Sequence, residues 1–229
     1  MASIYWVGTT SAGGDNFKTA GNWRNTSDDS TASNAPQSDD IIYFDDRAVA
    51  DCTAGMDNAS VDLQQLNVTS GFRFNLGAAG SPLIVAVSNA TTATPTATIA
   101  QSEGTIYWQA GTNNVDSLYV ESTSSKGVYL TGGTFTMVYM QGGIVNVGAS
   151  AVVPTMHQAN GVLTAANGTA FTTYRQSGGR SDLNRTSTTA HILGGRTHSR
   201  DGGTFTTLNT GPAANITYHG GSVTNSNRS

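Results

Sequence analysis

One cysteine, Cys52, stands in 229 residues. No disulfide within the chain can brace the fold, which suits a reducing compartment. Charge is scarce as well, at 11% of residues. Lysine occurs only at Lys18 and Lys126, and glutamate only at Glu103 and Glu121. A net charge of −4 with so little lysine argues against a nucleic-acid partner. No apolar run approaches the ~18 residues of a membrane span. The opening MASIYWVGTT lacks the basic start and apolar core of a secretory signal. Synthesis in a cytoplasm and no membrane partner are therefore expected. His157, His191, His198 and His219 are scattered without an HxH or HExxH pattern, and no GxxxxGKS loop occurs. Neither a metal nor any other cofactor is expected.

What fills the chain instead is Gly, at 27 positions, together with Thr, Ser, Asn and Ala. Such a composition also suits a disordered linker, but Val, Ile, Leu, Phe and Tyr recur at regular intervals through to Val223, and disordered chains are poor in them. The interval is readable. Gly143, Gly161 and Gly179 stand 18 residues apart. Superposing the copies places Val145 on Leu163, Val147 on Ala165 on Leu183, and Met156 on Tyr174 on Ile192. Position repeats without residue identity, which is how stacked coils read in sequence. The expected fold is all-β: a parallel β-helix or solenoid of about 18-residue rungs, right-handed because parallel crossovers take that hand. Gln158 and Gln176 fall at one offset and are expected to stack. After Gly179 the register is expected to loosen, with Gly194-Gly195 and Gly202-Gly203 marking an insertion.

Residues 1–60 read differently and are expected to form an N-terminal capping or attachment unit, with the solenoid over 61–229. A coil leaves an open strand edge at its first turn, and a distinct terminal unit covers it. Asp39-Asp40-Ile41-Ile42-Tyr43-Phe44-Asp45-Asp46 reads as a strand with acid pairs at both ends, a device against edge pairing. Trp6 and Trp23 are expected to pack this unit's core. The other use for them, and for Trp108, is to stack on sugar rings.

Charge is unevenly spread. Residues 1–62 carry a net −7 and residues 175–229 a net +4. Complementary potentials choose partners and set register. Asp39, Asp40, Asp45 and Asp46 at one end, and Arg175, Arg180, Arg185, Arg196 and Arg200 at the other, are thus the candidate protein contacts. For catalysis the chain offers only Asp116 with Glu121, or Asp182 with Asp201, as carboxylate pairs. Nothing in their spacing favours a glycosidase-like site, so no catalytic residue is assigned and no enzyme is expected.

The opening Tyr5-Trp6-Val7-Gly8, then Asn22-Trp23, Pro36 and Asp39-Asp40-Ile41-Ile42-Tyr43-Phe44-Asp45, resembles the start of a group of tailed-bacteriophage and prophage virion proteins. Leu66-Asn67-Val68 with Gly71, and Gly80-Ser81-Pro82-Leu83, are similar to that group too. The resemblance covers roughly the first 85 residues. It implies a head-associated structural protein of the virion: a decoration or cement protein on the capsid exterior. Its partners would be the major capsid protein and its own copies, as a homotrimer or other ring. A tail-fibre or spike component that binds host glycans, or less readily cleaves them, is the second expectation.

Overall fold

Apolar side chains at every second position, interrupted by Gly, Asn and Ser, commit the chain to strands joined at corners. The structure, a computed structural model, describes residues 2–9, 14–89 and 94–228. The early strands are β1 (Ser3–Trp6), β2 (Trp23–Asn25), β3 (Ile41–Phe44), β4 (Asp57–Leu63), β5 (Gln65–Val68), β6 (Leu83–Val87) and β7 (Thr96–Ile99). Two long bent strands follow, β8 (Ile106–Val120) and β9 (Val128–Met140). Then come β10 (Ile144–Val152), β11 (Thr155–Gln158), β12 (Val162–Ala165), β13 (Phe171–Gln176) and β14 (Arg180–Leu183). The last three are β15 (Ser187–Ser199), β16 (Phe205–Tyr218) and β17 (Val223–Arg228). The one helical segment among the described residues is a 3-10 turn at Ala20–Asn22. No helix among them is long and apolar enough to cross a membrane.

Nearly every strand pairing is parallel, and strands stack on the strands one turn away, so the chain is a β-solenoid. In one ladder Ile4 is followed by Ile42, Leu66, Ala97, Leu118, Val138, Met156, Tyr174, Ala190 and Leu208. The second runs Ile106, Val128, Val145, Leu163, Ser181, Thr197 and Ile216. Both rows point inward and line one continuous core, apolar except at Ser181 and Thr197 in the second row. No single turn covers its own apolar side; each is shielded by the turns above and below. Fully burying a Val, Leu, Ile or Phe contributes about 1.5–3 kcal/mol, so repetition of the row is what makes the coil stable.

The register confirms Val145 on Leu163 and Val147 on Ala165 on Leu183. It corrects the next offset. Tyr174 lies on Ala190, while Ile192 lies on Gln176. The turn that begins at Gly179 is shorter, and Arg180 pairs with Arg196 only 16 positions on. The shortening is at one corner. Five residues separate Ala165 from Phe171, but three separate their partners Leu183 and Ser187. Gly194-Gly195 therefore marks no insertion: Arg196–Ser199 is regular strand between β14 and the far part of β16.

Two strands of the stretch expected to cap the coil, β1 and β3, join the same ladder. β1 pairs in parallel with β3, and β3 with β5, so Ile41–Phe44 is an inner strand and not a guarded edge. The boundary expected at residue 60 falls inside β4. The cover over the first turn is β2, which runs antiparallel to β1 with Trp6 opposite Trp23. Phe17, Trp6, Phe44 and Phe72 gather around and below Trp23. Its ring stands edge-on to Phe17, Trp6 and Phe44 at 5.2–5.6 Å.

Candidate functional site

All three tryptophans lie in the core, Trp6 and Trp23 wholly buried and Trp108 at 1% exposure. Their indole N–H groups donate to Ala50 O, Phe17 O and Val85 O. Buried rings with satisfied N–H groups have no face to offer a sugar, which corrects the stacking role for Trp6, Trp23 and Trp108.

The acidic contacts are mostly internal. Asp40 is buried and accepts from the backbone N–H of Ala2 and Gln37 at 2.6 and 2.9 Å. Asp39 accepts from the Asn89 amide. Asp45 pairs with Arg47, whose guanidinium lies 3.3 Å over the Tyr5 ring. Of the four, Asp46 alone is exposed. These carboxylates brace the first turns, so Asp40 in particular is unsuited to a docking role.

The arginines divide three ways. Arg180, Arg196 and Arg200 are exposed on one face, with Arg180 and Arg200 both reaching Asp182 at 2.9 and 3.0 Å. His198 Nδ1 is 3.4 Å from the same carboxylate. Arg185 is the opposite case. It is wholly buried, and its guanidinium donates to the carbonyls of Ala166, Ala151 and Gly148 at 3.1, 2.9 and 2.9 Å. The group sits 5.2 Å from the Phe171 ring, and burial pulls its pKa below the ordinary value. It occupies the corner shortened after Leu183 and bonds carbonyls from three earlier positions. It is an internal tie and no surface contact, which corrects its assignment.

Arg175 belongs to a row that sequence reasoning missed. Along the first ladder, the outward residues Tyr119, Tyr139, His157, Arg175 and His191 stack in register. Tyr119 and Tyr139 lie face to face at 4.9 Å and 9°, and the His157 ring follows at 5.0 Å from Tyr139. Beside this row the next corner rises as a wall of Gln141, Ala159, Ser177 and Leu193. Between them runs an open groove of about 610 Å³ with Met140, Gln158 and Gln176 at its floor. No carboxylate lines it. Burial first, and the Arg175 charge second, hold His157 below its ordinary pKa of 6.5. Part of the signal was in the sequence, since His157 and Arg175 each follow by one a core residue already superposed, Met156 and Tyr174.

Beneath the groove the core turns polar. Gln158 and Gln176 are in register as expected, but their amides do not bond each other. Gln158 Nε2 donates to Gly161 O and Arg180 O, and Gln176 Nε2 to Gly178 O, Gly179 O and Arg196 O. The buried Tyr174 hydroxyl lies within bonding reach of both amide oxygens, at 2.8 and 3.0 Å. Ser181 and Thr197 donate to the Gln176 oxygen. Burial pushes the Tyr174 phenol well up, so it is a neutral donor.

The carboxylates weighed from the sequence lie in different surroundings. Asp182 is engaged by Arg180, Arg200 and His198. Asp116 has its pKa raised by burial and, second, by Asp62; Glu121 is exposed. Among the described residues no group of three or more His, Cys, Asp or Glu could hold a metal ion. No protein-family model, curated protein or solved structure matches the chain.

Proposed function

We propose that this chain is a non-catalytic structural component of a tailed-bacteriophage particle, a decoration protein on the capsid exterior that bridges coat subunits. The opening pattern over Tyr5–Asp45 points to that class of protein. The observation that carries the mechanical reading is the unbroken parallel ladder from Ile4 to Leu208, tied internally by Arg185, Gln158 and Gln176. A coil whose every turn is bonded to the next resists bending and shear without any chemistry. Of the candidate contacts, the exposed Arg175, Arg180, Arg196 and Arg200, with Asp46, are available to the coat protein or to neighbouring copies in a trimer or ring. Quantitative mass spectrometry of purified particles tests this. Copies in fixed proportion to the coat protein are expected; absence, or the few copies of a tail component, contradicts it.

A second reading is a tail-spike component that binds a host surface glycan. One observation favours it: the groove along Tyr119, Tyr139, His157, Arg175 and His191.

A further inference from the structure

We propose that this groove is a binding site for a linear acidic polysaccharide, a polymer of carboxylate-bearing sugars lying parallel to the coil axis. The assignment deepens the second reading above and rests on the groove, not on where in a particle the protein sits.

Shape comes first. At ~4.8 Å per turn, the four steps from Tyr119 to His191 extend about 19 Å along the axis. The groove is open, and its lining repeats once per turn, a step close to the length of one pyranose residue. Such a site suits an extended chain better than a compact small molecule.

Chemistry selects the chain. Arg175 is exposed and forms no ion pair among the described residues. His157 and His191 flank it one turn on either side. A planar guanidinium free of acidic neighbours is suited to bidentate recognition of a carboxylate. Around it, Gln141, Ser177 and the two phenols supply hydrogen-bonding groups for hydroxyls. Leu193, at 54% exposure the most exposed large apolar side chain among the described residues, offers a surface for C–H faces. The groove thus sets one permanent cation, Arg175, among neutral hydrogen-bonding groups, with no carboxylate in its lining.

Competing occupants fit less well. A single-stranded nucleic acid needs cations along its backbone and open aromatic faces for its bases. Here one permanent cation is present, and Tyr119 and Tyr139 cover each other's faces. An extended peptide recruited by strand addition needs a free sheet edge, whereas these residues sit on a face whose strands are paired on both sides.

The experiment is a calorimetric titration of the intact protein with polygalacturonate, polysialic acid, neutral dextran and oligo-dT. Binding of an acidic polysaccharide, and not of dextran or oligo-dT, is expected, with affinity falling as salt rises. Arg175→Gln should weaken binding at least tenfold while leaving the melting temperature unchanged, because the side chain is exposed. Arg73→Gln, at an exposed arginine outside the groove, should not alter binding. Binding of dextran alone overturns the acidic assignment and leaves the glycan reading standing. Failure of all three polysaccharides overturns both and leaves the particle-composition test untouched. An Arg175→Gln variant that binds like the parent, or equal binding of oligo-dT, overturns the proposal.

Discussion

From β1 to just past β5 the coil's interior is dominated by aromatic rings, with Trp6, Trp23, Phe17, Phe44 and Phe72 buried in contact. From β11 to the end of β15 the same inward positions hold Gln158, Tyr174, Gln176, Ser181, Thr197 and Ser199. One inward row makes the contrast plain: Val68, Ile99 and Val120 precede Met140, then Gln158 and Gln176 follow before Ile192 returns the row to an apolar side chain. Apolar contacts are undirected and tolerate changes of size and angle. Buried amides and hydroxyls are stable only when their partners stand in place, so they fix register at the cost of tolerance. The early turns are held by area and by the β2 cover. The later ones are held by directed bonds, and the 16-residue turn from Tyr174 to Ala190 lies among them.

The largest effect expected from breaking this contrast is in the aromatic region. Trp23→Ala removes the ring at the centre of the cluster and its bond to Phe17 O, for a loss of about 3–5 kcal/mol in urea-induced unfolding. Next is the tie in the later turns. Arg185→Met keeps the volume but leaves three carbonyls without their donor, costing about 2 kcal/mol. A stabilised variant would mean that the buried charge costs more than its bonds return. Exchanging chemistry within one row sharpens the point. Gln176→Leu, which deprives Ser181 and Thr197 of an acceptor, and Val120→Gln, which strands an amide among apolar neighbours, should each cost about 1–2 kcal/mol. If both swaps are neutral, the two regions do not differ in kind.

The smallest effect is electrostatic. In the folded chain the Asp116 pKa lies above its ordinary 3.8, chiefly through burial. The unfolded chain then releases this proton more readily, so ionisation of Asp116 lowers stability as pH rises from 3.8 through the raised value. Asp116→Asn should be slightly more stable than the parent at pH 7, with the difference vanishing below 3.8. Thermal melts across that range measure it.

The glycine spacing made the coil legible, because corners that repeat need the same residue. Gly161, at φ 84°, could not carry a side chain: a Cβ there would stand 2.5 Å from Gly143 O. The same requirement places Gly195, at φ 83°, against Gly179, and this could have revealed the 16-residue turn. It stayed hidden because the shortening occurs at a different corner, at Asn184-Arg185-Thr186, where a long cation replaces chain. From sequence alone Arg185 is indistinguishable from Arg180, since nothing local announces burial of a charge bonded only to carbonyls. The groove escaped for a related reason. Its residues are unlike one another, and only a register correct to the residue sets Tyr139, His157 and Arg175 in line.

Register is therefore the quantity to measure, and interstrand amide-to-α NOEs between β13 and β15 report it most directly. Contacts joining the Tyr174 and Ala190 positions, together with contacts between β1 and β3 around Ile4 and Ile42, are the predicted result. Contacts joining Tyr174 to Ile192, or none between β1 and β3, would contradict a single coil with one shortened turn.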